Sequence, residues 1–138
     1  MEAHVKLVEG ISLVGRANSN HWIPMDGPET TGGNDAASRP VELVLIGLGG
    51  CTGMDVLSIL QKKRVPFTDF EVKLDSERAE DHPKVFTKIK IHFIVYGTGI
   101  NPKDVERAIE LSETKYCPVS AMLKHSAIIE TSYEIKEA

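Results

Sequence analysis

Cysteine is scarce in this chain: two in 138 residues, Cys51 and Cys117, separated by 66 positions. Two thiols are too few for a disulfide scaffold, and neither stands in the C-x-x-C spacing of zinc ribbons or thioredoxin-like sites. In a reducing compartment such a pair is either two small buried hydrophobes or a working redox couple. Long apolar runs are also missing. The longest uncharged one, Leu43 to Met54, has twelve residues and is bracketed by Glu42 and Asp55, where a membrane span takes about 20. Sixteen basic and twenty acidic residues give a net charge of -4 with no long run of one sign. That removes the basic stripe that would bind phosphate backbones, so neither nucleic acid nor a membrane is an expected partner. The opening MEAHVKLVEG lacks the basic-then-apolar layout of a signal peptide, and the expected location is the cytoplasm.

What is present suits one domain over residues 1–138, large enough to bury roughly two-thirds of the surface its unfolded form exposes. His4 to Val8, Ile11 to Val14 and His21 to Met25 are short strand-like runs separated by turn residues, a meander. Gly27 to Ser38, with three glycines and no large apolar side chain, reads as an exposed, mobile loop. Phe70 to Leu74 and Val85 to Tyr96 alternate as half-buried strands do, with Phe86, Lys88, Lys90 and His92 opposite Val85, Thr87, Ile89, Ile91 and Phe93. Asn101-Pro102 opens a helix whose Val105, Ala108, Ile109, Ser112 and Tyr116 share a face, Tyr116 reading as core beside Cys117 or, second, as a phenol lining a pocket. A short helix from Val119 to Leu123 and a strand from Ala127 to Ile135 follow. The expected class is α+β, an antiparallel sheet with two main helices.

The segment RPVELVLIGLGGCTGMDVLSILQKK sets Cys51 among four glycines in an apolar context. Each glycine costs a helix roughly 1 kcal/mol against alanine, so the segment needs backbone close to something. One reading is strand, glycine loop and helix, as in dinucleotide sites. Against it, Thr52 stands where the fingerprint has its third glycine or alanine, and no Gly-Lys-Ser/Thr follows for a phosphate loop. The other reading is one helix from about Pro40 to Lys63, with Pro40 at its start and Glu42 in its first turn. Gly49 and Gly53, four apart, would then admit a second helix, across a dimer interface for example.

RPVELVLIGLGGCTGMDVLSILQKKR, LDSERAEDHPKVFTKIKIHFIV and AIELSETKYCPVSAMLK together resemble the OsmC/Ohr family, the osmotically inducible and organic-hydroperoxide-resistance proteins, in its YhfA-like branch. The resemblance implies an OsmC-like intertwined homodimer with active sites at the subunit interface. It further implies an oxidative-stress function: Cys51 as the nucleophile that attacks a small hydroperoxide, Cys117 as the resolving thiol, and an external dithiol of lipoyl type as reductant, with no bound cofactor and no metal. A nucleophilic thiol needs a cation, a helix N-terminus or an acid-base partner. Arg39 is the candidate cation, with Glu42 positioned to hold its guanidinium by paired hydrogen bonds. Arg39 precedes Cys51 by twelve residues, about 18 Å if helical throughout, so it reaches Cys51 only by chain bending or from the other subunit. In the characterised branches the acid follows the proline directly, whereas here Val41 takes that place and Glu42 comes one later, about 100° around a helix. Their arginine comes from the N-terminal strands, where Arg16 stands, and His21 is a further pocket candidate. The alternative function on the same fold is a non-peroxidatic dimer that binds a small apolar ligand or senses redox state through Cys51.

Overall fold

A computed structural model describes residues 1–137. The chain divides into two compact units, Met1–Ile46 and Gly47–Ala138. The N-terminal unit holds the expected meander: β1 (His4–Glu9), β2 (Ser12–Arg16) and β3 (Ile23–Met25), antiparallel in that order. All six residues of β1, an edge strand, are exposed.

The loop after β3 is tied down rather than loose. Asp26 is buried and its carboxylate accepts hydrogen bonds from the backbone N–H groups of Gly27 (2.8 Å), Asn34 (3.1 Å) and Ala36 (3.2 Å). Within the loop Glu29–Thr31 form a single 3-10 turn closed by Gly32 at φ 93°. A Cβ at Gly33 would lie 2.0 Å from the Gly27 carbonyl oxygen, so the crossing admits only glycine. Glycine content suggested mobility, whereas the hydrogen bonds gathered by one carboxylate close the loop on itself.

The glycine-rich segment is helical, α1 (Pro40–Lys62), so the strand-loop-helix reading for a dinucleotide does not hold. Pro40 occupies the first turn, where its missing N–H costs nothing. Glu42 Oε1 accepts from the Arg39 backbone N–H at 2.7 Å, the acidic half of a capping box at the helix start. By length and composition α1 could cross a membrane, and a third of its apolar window is buried.

In the C-terminal unit, β4 (Phe67–Arg78), β5 (Phe86–Gly97) and β6 (Ile128–Lys136) form one sheet in that order. β4 and β5 are antiparallel; β6 runs parallel to β5, where an antiparallel partner was expected. The reason is the connection: α2 (Pro102–Leu111), a π-helical turn (Ser112–Tyr116) and α3 (Pro118–Leu123) carry the chain back before β6 starts, a crossover that returns it in the same direction. Phe86 is buried and Thr87 exposed, against the alternation read from sequence, because the register slips between Glu77 and Arg78. Such a bulge turns the strand end over.

Phe70, Val72 and Leu74 of β4 stand opposite Val95, Phe93 and Ile91 of β5 and share a sheet face. The glycine side of α1 packs there: a Cβ at Gly49 would lie 2.7 Å from Leu74 Cδ1, and one at Gly53 3.3 Å from Val72 Cγ2. Gly49 and Gly53 therefore serve the chain's own sheet, not the helix pair expected of them. Leu48, Val56, Leu60 and Phe93 are fully buried, each contributing roughly 1.5–3 kcal/mol by removal from water.

Candidate active site

Three elements of the C-terminal unit bring the chemistry together. α1 carries Cys51 and, one turn later, Asp55; side chains four apart on a helix are neighbours. The π-helical turn ends with the Cys117 N–H bonding the Ser112 carbonyl at 2.9 Å, and the chain then becomes extended at Cys117, φ -80° and ψ 105°. π-turns recur at functional sites because the extra residue re-aims the side chains that follow. Cys117 N-caps α3, its sulfur accepting from the Ser120 N–H at 3.3 Å, and Pro118 fills the first helical position.

The result is a cluster in which Cys51 Sγ, Cys117 Sγ and an Asp55 carboxylate oxygen all lie within 4.8 Å of one another. Both cysteines are free thiols. Cys51 is half-buried, and Cys117 is 3% exposed. Burial first, then a hydrogen bond to Cys51, push the Cys117 thiol up to about 11 against the lowering effect of the Ser120 N–H. Cys117 thus keeps its proton at neutral pH. The Asp55 carboxylate is held by a buried hydroxyl: Ser112 Oγ donates to Oδ2 at 2.9 Å. Since a hydroxyl has one proton, the 2.9 Å contact between Thr52 and Ser112 is donated by Thr52. Thr52 and Ser112 are both buried, so this relay is shielded from solvent. Ser120 Oγ is buried and has no hydrogen-bond partner among the described residues.

Beside Asp55 opens a cavity of about 430 Å³, walled by Ile59, Leu111 and Tyr116 and edged by Lys62 and Lys63. Tyr116 is 49% exposed on this cavity, which sets aside the expected core packing and agrees with its alternative reading as a phenol lining a pocket. The π-turn breaks the 3.6-residue period that placed it inside. Two thiols and a carboxylate are donors a metal ion could use, but they number three, and closed structural zinc sites use four.

A family model described as OsmC-like protein matches residues 32–132, a span that contains both cysteines. The chain belongs to the OsmC-like family. It is 47% identical to Protein YhfA of Escherichia coli (strain K12) over 138 residues, all of both chains. A hypothetical protein from Aquifex aeolicus VF5 is 32% identical at TM-score 0.87, covering 99% of this chain and 96% of that one. The organic hydroperoxide resistance protein OsmC from Legionella pneumophila shares the fold at TM-score 0.70 and 16% identity, with 97% of each chain covered.

In this OsmC-like chain the two cysteines expected to work together are therefore adjacent. The other expected site residues lie in the N-terminal unit. The Arg39 guanidinium donates to Asp35 at 2.7 Å and to the Ala37 carbonyl at 3.1 Å. Glu42 does not hold that guanidinium; its carboxylate accepts from the Arg39 backbone N–H instead. Arg16 hydrogen-bonds Asn20 and stacks over Trp22, 5.0 Å from the ring centre. His21 is exposed. Sequence reasoning misses Asp55 and Ser112 as site residues. The apolar run marks Asp55 only as its end, although the spacing of four from Cys51 is a signal in plain view. Ser112 was placed on a buried face, and only the tertiary fold brings it to Asp55, 57 positions away.

Proposed function

We propose that this protein is a thiol peroxidase of organic or inorganic hydroperoxides. The Cys51 thiolate attacks the peroxide oxygen, the O–O bond breaks, and Cys51 becomes a sulfenic acid as the alkoxide leaves and takes up a proton. Cys117 then attacks the sulfenic sulfur, forming the Cys51–Cys117 disulfide and releasing water. An external dithiol of lipoyl type returns the pair to thiols, and no bound cofactor takes part. The observation that carries the reading is the asymmetric pair: a half-buried Cys51 within 4.8 Å of a buried Cys117 thiol. A disulfide of about 2.05 Å needs only a short approach from there. The fold shared with the Legionella pneumophila organic hydroperoxide resistance protein supports the same reaction class. No step is routed through Arg39, Glu42, Arg16 or His21.

The working form is a homodimer in the cytoplasm. It is supported by exposed apolar side chains, Met54 (74%) and Met122 (64%), that a second copy would cover. The test is cumene hydroperoxide consumption with dihydrolipoamide as reductant. Wild type turns over, Cys51→Ser loses activity at least about 100-fold because the nucleophile is gone, and Cys117→Ser stalls after one equivalent. Equal consumption by Cys51→Ser and wild type would overturn the reading in favour of a ligand-binding or redox-sensing dimer.

A further inference from the structure

We propose that Asp55 is the proton acceptor that activates Cys117 for closure of the disulfide. The geometry is specific. An Asp55 carboxylate oxygen lies within 4.8 Å of both sulfurs, and the buried Thr52–Ser112 relay holds the group by one hydrogen bond to Oδ2. That bond occupies one of the roughly four lone-pair sites of a carboxylate, so others remain to accept a proton.

The need is equally specific. A thiol, not a thiolate, is a poor nucleophile, and with the Cys117 thiol pushed up to about 11 only about one part in ten thousand ionises unaided at pH 7. The Cys117 proton becomes strongly acidic as its sulfur bonds to Cys51, so a carboxylate in reach removes it during the step. In the peroxidase cycle Asp55 takes that proton as the S–S bond forms and passes it to the hydroxide leaving Cys51, which departs as water. Bonds and charge balance: one S–H and one S–O bond break, one S–S and one O–H bond form, and Asp55 ends as it began. Tyr116, Lys62 and Lys63 also border Asp55 across the cavity. An ammonium has no lone pair to accept a proton and a phenol oxygen is a far weaker base than a carboxylate, which leaves the carboxylate.

The inference rests on the peroxidase reading only for the oxidant, so the test avoids peroxide. Reduced protein with EDTA is mixed with the aromatic disulfide DTNB, and thionitrobenzoate release is followed in time. The first release marks the mixed disulfide at Cys51; the second marks attack on it by Cys117, whose proton must leave. In Asp55→Asn the second phase at pH 7 slows about 100-fold, in line with removal of a general base. The gap to wild type narrows as pH rises toward the Cys117 value, where thiolate forms unaided. Asp55→Glu recovers part of the rate, and Ser112→Ala, which keeps the carboxylate but loses its anchor, gives an intermediate rate. Closure by Asp55→Asn at the wild-type rate at pH 7 would overturn the proposal; should that variant not fold, an unchanged rate in Ser112→Ala does so. A wild type that consumes no hydroperoxide yet shows the Asp55-dependent phase overturns the peroxidase reading and leaves this one standing.

Discussion

Asp26 and Asp55 are two carboxylates whose surroundings give them different work. At Asp26 burial pushes the carboxyl up, but hydrogen bonds from the Gly27, Ala36 and Asn34 N–H groups and from Ser12 outweigh it, so its pKa is lowered from 3.8. A lowered folded-state value means the stabilisation is fully present above the unfolded value and is lost as pH falls through the folded one. Asp26→Asn is therefore expected to melt several degrees below wild type at pH 7, with the gap closing below about pH 3.8. Thermal unfolding at pH 7 and pH 3 checks this; an equal gap at both would remove the linkage. Asp55 has one hydroxyl anchor and two thiols before it, a setting for proton transfer rather than loop closure. Cys51 and Cys117 were legible from the sequence because each sits in a distinctive segment. The carboxylate between them was not, because a charge at the end of an apolar run has the same appearance whether it is solvated or working.

At the scale of the element, α1 shows what periodicity can and cannot tell. Its extent, its proline start and its first-turn acid followed from local rules, and the observed helix differs from the expected one only at its last residue. Which face meets what did not follow, since four glycines offer two close-approach faces. Gly49 and Gly53 went to Leu74 and Val72 of the chain's own sheet. A Cβ at Gly47 or Gly50 would meet nothing within 4 Å, and with Met54 these residues form an exposed stripe at i, i+3 and i+7. If a second copy covers this stripe, the chain sediments at twice 15.2 kDa and Gly50→Glu shifts it toward the monomer mass with helical content retained. A wild-type species of monomer mass at micromolar concentration would contradict the dimer.

For the whole molecule, the meander, the long hairpin and the two C-terminal helices were readable because each rests on local patterning. The parallel return of β6 and the slipped register at Phe86 were not, since both depend on where a distant segment docks. The same crossover that makes β6 parallel delivers Cys117 to Cys51, so the feature least visible in the sequence assembles the site. Intact mass and thiol counting after one equivalent of cumene hydroperoxide, with Cys117→Ser beside wild type, test this account most directly. It predicts loss of both thiols to a disulfide within one wild-type chain, and a trapped sulfenic acid at Cys51 in the variant. Survival of both wild-type thiols through minutes of exposure would contradict it.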